Sequence, residues 1–150
     1  MRAGGDFIIS NLAFFFVLSE ASPVKYVPYN SWVMVTYTYD FISPTDVVYT
    51  TCVNSTCSSS VQSMTQPDTY INEAMFIFGT YQLIGDAANA QVYNVTLTQS
   101  QISQLYSEGL SGAPISNAGL VGWWPLDGNA NDYSGNNNNG AAANVNWVSP

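Results

Sequence analysis

Basic residues are nearly missing from this chain of 150 residues: Arg2 and Lys25 stand against ten Asp and Glu, for a net charge of −8. Two cations cannot neutralise a phosphate backbone, which excludes nucleic-acid binding, and they offer little to an anionic membrane surface. Histidine is absent, so Ser-His-Asp and Cys-His arrangements are ruled out. The acids are scattered singly, without the paired carboxylates on one strand face that glycosidic cleavage needs. No apolar run approaches the roughly 20 residues of a spanning helix. The expectation is a chain that is not an enzyme and has no membrane span.

Cysteine is also scarce. Cys52 and Cys57 bracket VNST within YTTCVNSTCSSSV, where β-branched residues and Tyr flank a short polar turn. That is a hairpin pattern, and two cysteines facing each other across it fall within bridging distance. A local disulfide fits an extracellular chain, with a pair of free thiols as the alternative. Zinc is not expected, because there is no His and no second Cys pair. Asn54-Ser55-Thr56, at the hairpin tip, and Asn94-Val95-Thr96 are N-glycosylation sequons.

What is abundant is apolar and aromatic: 47% of residues are hydrophobic and 14% aromatic, which is the composition of a packed chain rather than a disordered one. Solubility rests on Asn, Ser, Thr and Gln, a balance more usual at cell surfaces than in cytoplasm. The opening MRAGGDFIISNLAFFFVLSEASP imitates a secretory signal. However, Asp6 and Asn11 interrupt its apolar run and its strong block is confined to Ala13–Leu18, so no cleavage is expected. The Arg2-Ala3-Gly4-Gly5 lead-in resembles a pilin-type leader, yet the long apolar helix that follows such leaders is absent.

Short β-like runs separated by turn residues dominate the rest. Candidate strands are Asp6–Ser10, Ala13–Leu18, Val24–Val27, Trp32–Tyr39, Val47–Val53, Ser58–Ser63, Ala74–Tyr81 and Ala90–Thr96. In SWVMVTYTYD, Trp32, Met34, Thr36 and Thr38 alternate with Val33, Val35, Tyr37 and Tyr39, so both faces carry large groups, as in a two-layer sandwich. One helix is expected, from about Gln99 to Glu108. Thr98 and Gln101 form its capping box, Gly109 ends it, and Ile102, Leu105 and Tyr106 make its apolar stripe behind Leu97. Residues 111–119, SGAPISNAG, read as a linker.

After the linker comes GLVGWWPLDGNANDYSGNNNNG. It resembles the first strand and following loop of laminin-G-like, concanavalin A-like domains, with Trp123, Trp124, Pro125, Asp127, Gly128, Asn129, Asp132, Ser134 and Gly135 all in register. The earlier chain is similar to the second half of the same family: NSWVMVTYTYD to its W-x-h-v-x-x-t-Y-D strand, DVVYTTCVNSTC to its lYvNG hairpin, and ANAQVYNVTLTQSQISQLY to its closing strand and helix. The family's FdGxxsYv and fTisaWv strands are missing, and Asn-Ser-Thr with cysteines replaces the hairpin glycine. The resemblance implies an all-β, antiparallel jelly-roll sandwich of concanavalin type with one short helix, over residues 1–110 and 120–150. Its order is second half, linker, first half. Three arrangements account for that: a slice across two tandem domains, a circularly permuted domain, or a strand exchanged between subunits. In the third, Leu120, Val121, Trp123, Trp124 and Leu126 form an assembly strand, and a head-to-tail contact of that kind builds a filament.

Asp127, Asn129, Asn131 and Asp132 offer hard oxygens within six residues, and the resemblance implies calcium at loops of the sandwich rim. The same residues also make tight turns by bonding their own backbone. Trp123, Trp124, Tyr133 and Trp147 lie near polar groups and are candidates for stacking on a sugar, although alternation lets only one of Trp123 and Trp124 face the core. The function implied is a non-catalytic, extracellular adhesion or recognition module at the cell surface, for a glycan or a protein. The alternative is a structural subunit whose partner is a copy of itself.

Overall fold

The computed structural model describes residues 11–18, 31–43, 46–63 and 85–148. Six strands and one helix follow in the order β1 (Asn11–Leu18), β2 (Val33–Phe41), β3 (Asp46–Val53), β4 (Thr56–Ser63), β5 (Gly85–Tyr93), α1 (Gln99–Glu108) and β6 (Leu120–Trp124). They form one sheet in the order β4-β3-β2-β1-β5-β6, and every neighbouring pair is antiparallel. The class is therefore all-β and antiparallel with one short helix. The expected strands Asp6–Ser10, Val24–Val27 and Ala74–Tyr81 lie outside the described residues.

β2 is a central strand, and its sequence shows why. Val33, Met34, Val35, Thr36 and Thr38 are all buried, so both of its faces are covered. β-Branched residues suit such a pleated, enclosed position. Tyr37 and Tyr49, diagonal neighbours on β2 and β3, stack with ring centroids 6.0 Å apart. Burial, and then the neighbouring Tyr49, raises the Tyr37 pKa above the ordinary tyrosine value.

The β3–β4 hairpin is tighter than the four-residue turn expected. Val53 pairs with Thr56 and Cys52 with Cys57, which leaves Asn54-Ser55 as the turn. Asn54 adopts a left-handed φ of 56°, a conformation Asn tolerates better than most residues. Cys52 and Cys57 form a disulfide with their Cα atoms 4.0 Å apart. Cys52 is fully buried, in a cluster with Met34, Ala88, Tyr93, Leu97, Ile102 and Leu105.

That cluster is where α1 docks. Thr98 and Gln101 make the capping box, and the Gly109 N–H donates to the Tyr106 carbonyl to close the helix. Ile102 and Leu105 are buried, each contributing on the order of 2 kcal/mol through removal from water. Tyr106, expected in the stripe, is instead 40% exposed. The Gln99 carboxamide donates to the Ser55 carbonyl at 2.9 Å and ties the helix start to the hairpin tip.

β6 pairs with β5 of the same chain, Trp124 opposite Ala90 and Gly122 opposite Val92. In this structure the strand therefore completes its own sheet. Gly122 is required there, because a Cβ would run into the Trp124 ring that lies across it. Leu126, expected in the strand, stands outside it with φ 63°, beyond Pro125, which has no N–H for a ladder.

Candidate functional site

The site grows from one residue of β5. Asn89 sits in the strand with a left-handed φ of 52°, where the pairing of β5 with β1 shifts register. Its N–H donates to the Pro125 carbonyl at 2.9 Å. Its side-chain amide donates to the carbonyls of Gly109 (3.4 Å) and Gly112 (2.9 Å). Its Oδ1 accepts from Gln91 Nε2 at 3.0 Å and from the Trp123 indole at 2.9 Å. Gln91 Oε1 in turn accepts from the Tyr93 hydroxyl at 2.8 Å. Both donors and both acceptor positions of the Asn89 carboxamide are used, as burial demands. Burial, and then the charge of Glu108, holds the Tyr93 pKa far above the ordinary tyrosine value, so Tyr93 remains a neutral donor at physiological pH.

These bonds bring three segments to one place: the start of β5, the loop after α1, and the loop after β6. Together with Trp32 and Val148 they line a cleft of about 230 Å³. Trp32, 36% exposed, supplies an aromatic surface. Asp86 and Asp127, both exposed, supply carboxylate acceptors, while Pro125, Leu126 and Ala87 give it apolar wall. No Lys or Arg lines the cleft among the described residues. An aromatic surface beside carboxylates suits a flat, hydroxyl-bearing molecule better than an anion.

The sequence-predicted site residues fall elsewhere, apart from Leu126 and Asp127. Trp124 is buried, with its indole N–H donating to the Asn138 carbonyl at 2.9 Å. Trp123 meets Tyr133 edge-on at 6.1 Å, and its indole N–H is committed to Asn89. Tyr133 and Trp147 remain exposed, at 54% and 40%, away from the cleft lining. Of the sequon residues, Asn54 is half-buried and accepts from the Met34 N–H through Oδ1, while Asn94 is exposed and donates its N–H to Gly119. Trp32, Asp86 and Asn89 escaped the sequence reading as site residues. An aromatic just ahead of a strand was the one available signal.

Two of the four oxygen donors proposed for calcium, Asp132 and Asn129, are engaged inside their loop. Asp132 Oδ1 accepts from the N–H groups of Trp123 and Ser134, and Oδ2 from the Ser134 hydroxyl and the Asn138 N–H, all within 2.8–2.9 Å. Burial pushes the Asp132 carboxyl up, but these hydrogen bonds outweigh it and hold the pKa below the ordinary aspartate value. Asn129 Oδ1 accepts from the Asn131 N–H at 2.8 Å, a local turn bond. Among the described residues no group of three or more His, Cys, Asp or Glu side chains is placed to hold a metal ion.

No protein-family model matches this chain, and no curated protein matches it. Among solved structures, its fold is similar to a "putative carbohydrate binding protein" from Bacteroides ovatus, with a TM-score of 0.60 and 16% identity. The likeness covers 90% of this chain and 52% of the other, so this chain spans about half the length of that structure. Among the described residues no helix is long and apolar enough to cross a membrane.

Proposed function

We propose that this chain is a non-catalytic carbohydrate-recognition unit of the laminin-G-like, concanavalin-like type, working outside the cell, with the Trp32 cleft as its sugar site. The observation that carries the reading is the cleft itself: an exposed indole beside two carboxylates, on walls cross-tied by Asn89. A pyranose presents C–H groups to an aromatic face and hydroxyls to carboxylates, and this arrangement offers partners for both. The like fold of the "putative carbohydrate binding protein" supports the ligand class. The disulfide supports an oxidising compartment.

Charge narrows the ligand. With two acids in the cleft, no Lys or Arg among its described lining residues and a net charge of −8, a uronic or sulfated sugar meets repulsion, so the preferred ligand is a neutral saccharide. The test is calorimetric titration with panels of neutral and acidic oligosaccharides, in calcium and in chelator. Neutral sugars are expected to bind, and Trp32→Ala to weaken them by about tenfold, the loss of roughly one stacking contact. Absence of binding across both panels, or a Trp32→Ala variant that binds like the parent, would sink the reading.

A further inference from the structure

The outer edge of β6 carries an arrangement that sugar recognition does not use. Alternate residues of an edge strand turn their backbone N–H and C=O outward, and an exposed row of such groups is a template for a further strand. In β6 the outward-facing groups are those of Val121 and Trp123, and the loop that follows the strand satisfies three of the four, both groups of Trp123 and the carbonyl of Val121. The Trp123 N–H donates to Asp132 Oδ1 at 2.9 Å, and its carbonyl accepts from the Tyr133 N–H at 2.7 Å. The Val121 carbonyl accepts from the side-chain amides of Asn136 (3.0 Å) and Asn138 (2.9 Å) and from the Ser134 hydroxyl at 3.4 Å. The Leu120 carbonyl accepts from Asn136 at 2.9 Å.

These partners come from side chains and a single loop amide, not from a strand. The run of Asn and Ser therefore does the work of a neighbouring strand while presenting no new ladder of its own. Asp132 is the hub: besides Trp123, it fixes Ser134 and Asn138, two of the residues that reach the Val121 carbonyl. A loop that needed only to turn the chain would leave these carbonyls to water.

We propose that residues 132–138 are an intramolecular cap on β6, and that the occupant they exclude is the β6 edge of a second copy of this chain. Without the cap each copy offers an open β6 edge of the same sequence. Two such edges pair antiparallel about a two-fold axis, which closes on itself and gives a dimer. The five-residue strand LVGWW, apolar and uncharged, carries no residue of its own that would discourage this pairing. The wild-type chain, capped, is thereby kept from joining its sheet to another through β6.

The test combines amide hydrogen exchange with light scattering on the full chain, comparing wild type with Asp132→Ala and with the double variant Asn136→Ala, Asn138→Ala. In the wild type the Trp123 amide is expected to be protected although its strand is at an edge. In Asp132→Ala the monomer at low concentration should exchange that amide faster, and raising the concentration should double the mass and restore protection. The double variant leaves Asp132 in place and should shift in the same direction, so a misfolded Asp132→Ala protein does not end the test. A Trp123 amide that exchanges equally fast in all three chains would overturn the cap. Folded variants that stay monomeric, or that grow into fibres instead of stopping at the dimer, would overturn the excluded partner.

Discussion

At one end of the sheet the β3–β4 hairpin is pinned by a covalent bond between Cys52 and Cys57, with α1 packed over it. At the other end β6 is held by side-chain hydrogen bonds from a loop rich in Asn, with no covalent link. Both ends shape a polar, turn-forming sequence, but they answer to different conditions. The hairpin is vulnerable to reductant, and at the open end of its ladder the hydroxyls of Ser63 and Ser43 hold the pKa of the Asp46 carboxyl low. The β6 end is indifferent to reductant and depends on the charge of Asp132.

The largest expected break in this contrast is at Asn89. Asn89→Ala leaves the half-buried Gly109 and Gly112 carbonyls, Gln91 and the Trp123 indole without their shared partner. A cost of about 3 kcal/mol is expected from several unsatisfied groups at once. Urea unfolding should show it, and sugar binding in the cleft should fall with it. A variant as stable as wild type would mean that water replaces the side chain without loss. Reduction of the disulfide comes next: a loop this short should release about 2 kcal/mol of stability. Because the bond lies far from β6 in the sheet order, the Trp123 indole NMR signal should stay where it is. Movement of that signal on reduction would show the two ends to be coupled.

Acid gives the smallest effect, and at the β6 end it is read at Trp123. A carboxyl whose pKa is depressed by folding stabilises the fold above its ordinary value near 3.9 and loses that contribution as pH falls through the depressed one. Titrating from about pH 5 downward should therefore perturb the Trp123 amide and indole signals, while Asp132→Asn should show the perturbed signals already at neutral pH. An acid-insensitive Trp123 in the wild-type chain would contradict the role given to Asp132.

Much of the fold was readable because its local signals are strong. The capping box of Thr98 and Gln101 with Gly109 fixed α1 to the residue, and alternation placed β2, β3 and β4 within two residues. β5 was less legible. Gly85-Asp86-Ala87-Ala88 has poor strand propensity and is drawn into the sheet by pairing with β1, so the strand begins earlier than the expected Ala90 and ends at Tyr93, not Thr96. The cleft was the least legible part. Trp32, Asp86 and Asp127 are far apart in the chain, and Asn89 ties the loop after α1 and the loop after β6 to the start of β5, which no spacing rule announces. The DGNAND motif was conspicuous, but its oxygens read equally well as metal ligands or as turn acceptors. The bonds from Asp132 to the β6 backbone depend on the path of the folded loop, which the motif does not announce.

The position of β1 has a consequence for how the chain assembles. β1, β2, β3 and β4 follow one another as a meander of near neighbours, whereas β5 joins by meeting β1 across a long stretch of chain, Leu18 opposite Gly85 and Asn11 opposite Tyr93. The seam between β1 and β5 is thus the one with the greatest loop-closure entropy, and α1 and β6 reach their places only after it closes. Folding should be paced by that single long-range pairing. The same seam should be where the native sheet first parts, separating a hairpin unit stapled by sulfur from a unit that carries the cleft and its cap.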